Sequence, residues 1–179
     1  GRLLEVGAGV GLVGLAAARV GVHDVVLSDI DPEVLDSLRI AVADARLAGA
    51  RVVRLDYSVA TAPQLGARDE AAHELGGSAS GSATFDLVVG SEVIYKDGHA
   101  HLARALSELL AKPRGVAVLC LADGRLGIAG FVASCSEVGL AVAIEPLRGA
   151  ALERLRADAE EPEMCEGRAV SLFTVRWGV

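Results

Sequence analysis

Three glycines at alternate positions, Gly7, Gly9 and Gly11, follow a short apolar run that carries one carboxylate, Glu5. Glycines placed between a strand and a helix permit positive φ and let a ligand touch the backbone without a Cβ in the way. The helix that follows presents unpaired N–H groups toward that ligand. Such a turn alone is a weak signal. It gains specificity from Asp29 at the end of the next apolar run, where a carboxylate can grip a pair of ribose hydroxyls.

Two ligand classes fit this pattern. Gly9, Gly11 and Gly14 have the spacing of a dinucleotide fingerprint, and Asp29 lies near the expected offset. Glu5 separates the two. A carboxylate two residues before the turn repels a pyrophosphate but favours a ligand bearing an ammonium and a sulfonium, such as S-adenosylmethionine. Such a charge contact is worth roughly 1 to 4 kcal/mol, depending on the local dielectric. The expected cofactor is therefore S-adenosylmethionine rather than NAD, with a solvated strand-edge Glu5 as the plain alternative.

Further along, Asp56-Tyr57 closes a third apolar run. There a carboxylate could accept the adenine amino group while the ring stacks on the base; a simple turn is the alternative. Asp31 precedes Pro32, which favours a helix cap over a ligand contact. Asp97, His99 and His101 do not make a metal site, because residues two apart on a helix do not share a face. Arg125 follows a fifth apolar run and is expected to be a surface arginine. Neither a Tyr-x-x-x-Lys pair nor a serine nucleophile elbow is present.

These residues need elements to position them. Strand-like runs cover 2–6, 24–28, 51–56, 85–90, 115–122, 140–145 and 169–177, and helix-like runs cover 12–20, 33–47, 64–75, 99–111, 128–138 and 150–159. That alternation predicts an α/β fold: a Rossmann-like three-layer α/β/α sandwich around a mostly parallel seven-stranded sheet, its last strand antiparallel. Residues 76–84 are small and polar and read as a flexible loop insertion. An acidic loop is expected over 160–167, and one domain over 1–179. The abrupt opening on a strand, without Met, leads us to expect that a preceding segment lies outside this sequence.

Composition supports a globular, intracellular protein. Hydrophobic residues make up 52% and charged residues 23% of 179, and no apolar run approaches a membrane span. A net charge of −7 argues against nucleic acid as a partner. Cys120, Cys135 and Cys165 lie far apart without Cys-x-x-Cys spacing, which predicts free thiols in a reducing, cytoplasmic or also nuclear, compartment.

The runs LEVGAGVGLVGLAAA, LSDID, LDYS and DLVVGSEVIY together resemble the seven-strand (class I) methyltransferases of family 16, which mostly modify lysines of non-histone proteins. The resemblance spans residue 2 to about residue 110. Its most specific element is the [DE]-x-x-[YF] signature after the fourth strand, met by Glu92-Val93-Ile94-Tyr95. It implies that Glu5, Gly7, Gly9 and Asp29 bind the cofactor, that Asp56 and Tyr57 flank adenine, and that Ser91 lines the cofactor pocket. It further implies that Glu92 and Tyr95 border the target amine as the catalytic pair. Tyr57 stands where the family usually has Trp, so the stacking ring is smaller.

The expected function is thus S-adenosylmethionine-dependent N-methylation of a protein lysine by a chain that acts as a monomer. A small-molecule N-methyltransferase and a donor-binding pseudoenzyme or assembly module are the alternatives. Glu92 would orient the amine or accept its proton through water; the alternative has Tyr95 packed under the next helix and Glu92 facing solvent.

Overall fold

The computed structural model describes residues 1–59, 64–65, 84–95, 99–149 and 169–178. Its strands are β1 (Arg2–Val6), β2 (Asp24–Asp29), β3 (Ala50–Arg54), β4 (Leu87–Ser91), β5 (Val116–Ala122), β6 (Leu140–Pro146) and β7 (Val170–Trp177). Its helices are α1 (Leu12–Arg19), α2 (Pro32–Asp44), α3 (His99–Leu109) and α4 (Ile128–Glu137). The expected helices over 64–75 and 150–159, the 76–84 insertion and the acidic 160–167 loop fall wholly or largely outside the described residues.

Neighbouring residues of a strand point to opposite faces, and both faces here are apolar. Leu3, Val25 and Leu27 pack with Leu35, Leu38 and Val42 of α2 and with Leu15 of α1. Leu4, Val6, Val26 and Val88 pack on the other side with Leu102 and Leu106 of α3 and Phe131 of α4. The result is the three-layer sandwich expected from the alternation of strands and helices.

The sheet runs in the order β3-β2-β1-β4-β5-β7-β6. β1 pairs in parallel with both β2 and β4, so successive strands build outward in opposite directions from β1. That reversal opens a crevice at the carboxyl ends of β1 and β4, where a ligand can enter between loops. β7 inserts between β5 and β6 and is antiparallel to both. Among the described residues no helix is long and apolar enough to cross a membrane.

Two strand ends differ from the sequence expectation. β3 stops at Arg54; the Leu55 N–H still bonds to the Asp29 carbonyl at 2.9 Å, and Asp56 and Tyr57 lie in the loop beyond it. β4 runs from Leu87 to Ser91. Phe85, before it, makes only an isolated bridge to Leu110, and Ser91, at the crevice end, is the strand's last paired residue.

Candidate cofactor and acceptor site

The glycine turn leaves β1 at its carboxyl end. It is tied to β2 by a hydrogen bond from Ala8 N–H to the Ser28 carbonyl (2.8 Å) and closed by one from Gly11 N–H to the Ala8 carbonyl (2.7 Å). Gly7, Gly9 and Gly11 have φ of 57°, 52° and 75°, the left-handed region. A Cβ on Gly9 would meet no atom within 4 Å, so this backbone borders open space.

Glu5 is buried, at 5% exposure, which removes the solvated strand-edge alternative. Its carboxylate accepts hydrogen bonds from the N–H groups of Gly14 (2.8 Å) and Val13 (3.3 Å). Helix α1 begins at Gly11, which has no side chain to cap it, so a strand residue supplies the capping acceptor instead. Burial pushes the Glu5 carboxyl above its ordinary value, and the two amide bonds oppose that shift.

Asp29 sits at the end of β2 beside the same turn. One oxygen accepts from Gly9 N–H at 3.1 Å, and the other from Ile30 N–H (2.7 Å) and Asp31 N–H (3.1 Å). Asp31 caps α2 through Glu33 N–H at 2.8 Å. The sequence-based pairing of Asp29 with the glycine turn is thus a direct contact.

Asp56 turns its carboxylate onto its own loop, accepting from the Ser58 hydroxyl (2.6 Å) and N–H (2.9 Å). These bonds lower its pKa below the ordinary carboxylate value, with the hydroxyl contributing most. Tyr57 is half-buried against the core. Burial, and then the nearness of Tyr95, Asp29 and Asp56, raises its phenol pKa. Tyr57 thus lies on the loop that follows β3, with its ring packed against the core.

That loop carries the signature. Ser91 is exposed at the strand end. Glu92 has φ of 56°, an unusual conformation for a residue with a side chain. Three contacts hold it there: its N–H donates to the Cys120 carbonyl (3.0 Å), Oε1 accepts from Ala122 N–H (2.6 Å), and Oε2 accepts from Arg125 Nε (2.7 Å). Arg125 also donates to the Ile94 carbonyl at 2.8 Å and lies 5.5 Å from the centre of the Tyr95 ring. Tyr95 is 61% exposed and does not pack under the next helix, and Glu92 does not simply face solvent.

Arg125 corrects the sequence expectation of a surface arginine. The residue is half-buried and joins both signature residues. Its one sequence signal is its place just after β5, the strand next to β4, since side chains at adjacent carboxyl ends share a crevice.

The geometry fits S-adenosylmethionine on three counts. Gly9 offers open backbone, Asp29 offers carboxylate oxygens beside it, and Tyr57 offers a half-buried ring on the loop that follows β3. It fits a pyrophosphate poorly, because Glu5 already occupies two of the α1 amides that would hold one.

Residues 1–127 match the family described as lysine methyltransferase. The chain belongs to that family. Its cofactor is S-adenosylmethionine, and the methyltransferase has the seven-strand fold of its class. No curated protein sequence matches it. Among solved structures, a TehB-like SAM-dependent methyltransferase from Corynebacterium glutamicum aligns with a TM-score of 0.62 and 19% identity, covering 98% of this chain and 79% of that one. The glycopeptide N-methyltransferase MtfA, solved with S-adenosyl-L-homocysteine, aligns at 0.66 and 16%, covering 99% and 81%. The [4+2]-cyclase SpnF aligns at 0.68 and 14%, covering 99% and 75%. At these identities the likeness shows the shared fold, and a cyclase among the three shows that this fold is not tied to one reaction.

Proposed function

We propose that this methyltransferase transfers the methyl group of S-adenosylmethionine to the side-chain nitrogen of a lysine in a protein. The observation that carries this reading is the Glu92–Tyr95 signature, braced by Arg125 on a loop at the carboxyl end of β4, next to the glycine turn of β1.

In this reading the backbone of Gly7 and Gly9 receives the amino-acid portion of the cofactor, and Asp29 the ribose. Asp56 and Tyr57 flank adenine, and Ser91 lines the pocket between cofactor and acceptor. Glu5 acts from below by holding the start of α1 in place. The cofactor supplies an electrophilic methyl group on a sulfonium.

The acceptor must arrive as a neutral amine. Removing a proton from lysine at pH 7 costs about 4 to 5 kcal/mol, a cost that a nearby positive charge and partial desolvation reduce. The nitrogen lone pair then attacks the methyl carbon as the carbon–sulfur bond breaks and its electron pair stays on sulfur. Glu92 and Tyr95 place the amine in line. The Ala122 N–H and Arg125 hold both Glu92 oxygens, which fixes the carboxylate for orienting the amine. Exposed Tyr95 and Leu126 (69%) give the rim an apolar surface suited to a protein partner. One domain acting as a monomer completes the proposal. The wide spacing of the three cysteines, without Cys-x-x-Cys, suits a reducing cytoplasmic or nuclear setting.

The test is transfer of tritium from methyl-labelled S-adenosylmethionine into a cell lysate, with and without prior blocking of lysines by reductive dimethylation. Label in protein that disappears on lysine blocking is the expected result. Label confined to small molecules, or cofactor binding without any transfer, overturns the proposal.

A further inference from the structure

The loop that carries Asp56 and Tyr57 has left the sheet, so its backbone groups need partners from elsewhere. Two distant side chains supply them. The Gln64 amide takes both backbone groups of Asp56, accepting from its N–H at 2.7 Å and donating to its carbonyl at 2.8 Å. Arg104 on α3 donates from Nη2 to the carbonyls of Tyr57 (3.0 Å) and Val59 (3.1 Å). Its other terminal nitrogen lies 3.9 Å from Glu108, one turn along the helix.

We propose that Arg104 is a positioning residue for cofactor binding: from α3 it clamps the Tyr57–Val59 backbone and so fixes the ring on which adenine stacks. The proposal rests on the reading that Tyr57 flanks adenine. The platform is rigid, because Leu102, Leu106 and Leu109 of the same helix are almost fully buried. The donor is a cation and both acceptors are carbonyls, so these bonds are stronger than neutral ones. A planar guanidinium can serve two carbonyls with little loss of side-chain freedom per bond.

The experiment is calorimetric titration of S-adenosylhomocysteine and of adenosine into the full chain and its Arg104→Ala, Arg104→Lys and Tyr57→Ala variants. Melting temperatures are measured alongside, so that each titration runs on folded protein. Arg104→Ala should bind both ligands about tenfold more weakly, by the same factor, because the clamp acts on the adenine end. Arg104→Lys should bind with an affinity between those of the parent and Arg104→Ala, since an ammonium keeps the charge and can donate to a carbonyl but lacks the planar guanidinium. A purely structural role would lower the melting temperature and leave affinity below it unchanged. If Tyr57→Ala weakens binding and Arg104→Ala stays within twofold of the parent, the clamp is wrong and the adenine placement stands. If neither variant weakens binding, the adenine placement is wrong and the clamp falls with it.

Discussion

Arg125 reaches back from the turn after β5 to put Nε at 2.7 Å and Nη2 at 2.5 Å from the same oxygen of Glu92. The two residues lie just beyond the carboxyl ends of neighbouring strands, β4 and β5. Because Ala122 N–H occupies the other Glu92 oxygen, the carboxylate is fixed at both ends. Glu92 also sits at positive φ, so its bonds maintain a backbone shape that the residue would not choose alone.

Arg125→Ala should therefore release the loop without disturbing the cofactor side. Methyl transfer into lysate protein is expected to fall by about ten- to a hundredfold, the usual consequence of a nucleophile misplaced by an ångström or so. S-adenosylhomocysteine affinity should stay within about twofold, since Arg125 touches none of the proposed cofactor residues. A parallel loss of cofactor binding would place Arg125 in a different role.

Gly9 and Gly11 should respond differently to alanine. A Cβ on Gly11 would sit 2.5 Å from Leu38 Cδ2 and 2.7 Å from Leu27 Cδ2, inside the packed core. Gly11→Ala should cost about 1 to 3 kcal/mol from overpacking, added to roughly 1 to 2 kcal/mol for the left-handed backbone. Gly9→Ala meets open space and bears only the backbone cost. Its methyl would instead intrude on the cofactor, so affinity for S-adenosylhomocysteine should drop about tenfold or more. Melting curves and calorimetry on both variants separate the two effects.

Glu5→Ala should leave Gly14 and Val13 N–H without their acceptor and lose about 1 to 3 kcal/mol of stability. Glu5→Gln tests the charge. The folded-state pKa of Glu5 is raised above 4.5, so the folded protein binds this proton more tightly than the unfolded chain does. The stabilisation this gives is complete below 4.5 and is lost as pH rises through the higher folded value. The melting temperature of the parent relative to Glu5→Gln should accordingly decrease as the pH is raised from the acid side of that window to neutrality.

Ser58→Ala should return Asp56 toward an ordinary carboxylate. The Ser58 hydroxyl is the first cause of its lowered pKa, followed by the Ser58 N–H, and only the hydroxyl is lost in the variant. NMR titration of the Asp56 carboxyl carbon should show the midpoint move upward in the variant. An unmoved midpoint would mean that the Asp56–Ser58 contact does not persist in solution.

Much of this was legible in the chain itself. Alternation of Leu3 with Leu4 and of Val25 with Val26 marks strands covered on both sides, and the glycine spacing marks a ligand-bearing turn at the end of β1. Asp29 was legible as a partner of that turn, because the unit linking β1 to β2 has few ways to pack. These features depend on local periodicity and on connections too short to vary.

What the tertiary structure alone decided depends on contacts between segments far apart in the chain. Glu5 reads in sequence as a charge offered to a ligand; that its carboxylate also holds the amides of α1 is visible only in the fold. Arg125 reads as a surface residue, yet the pairing of β4 with β5 brings it onto Glu92. The placement of β7 between β5 and β6 has the same origin. Periodicity states which face of an element is buried, and so determines the layers. Which side chains meet at the carboxyl ends follows from strand order, and strand order is chosen by the packing of the whole sheet.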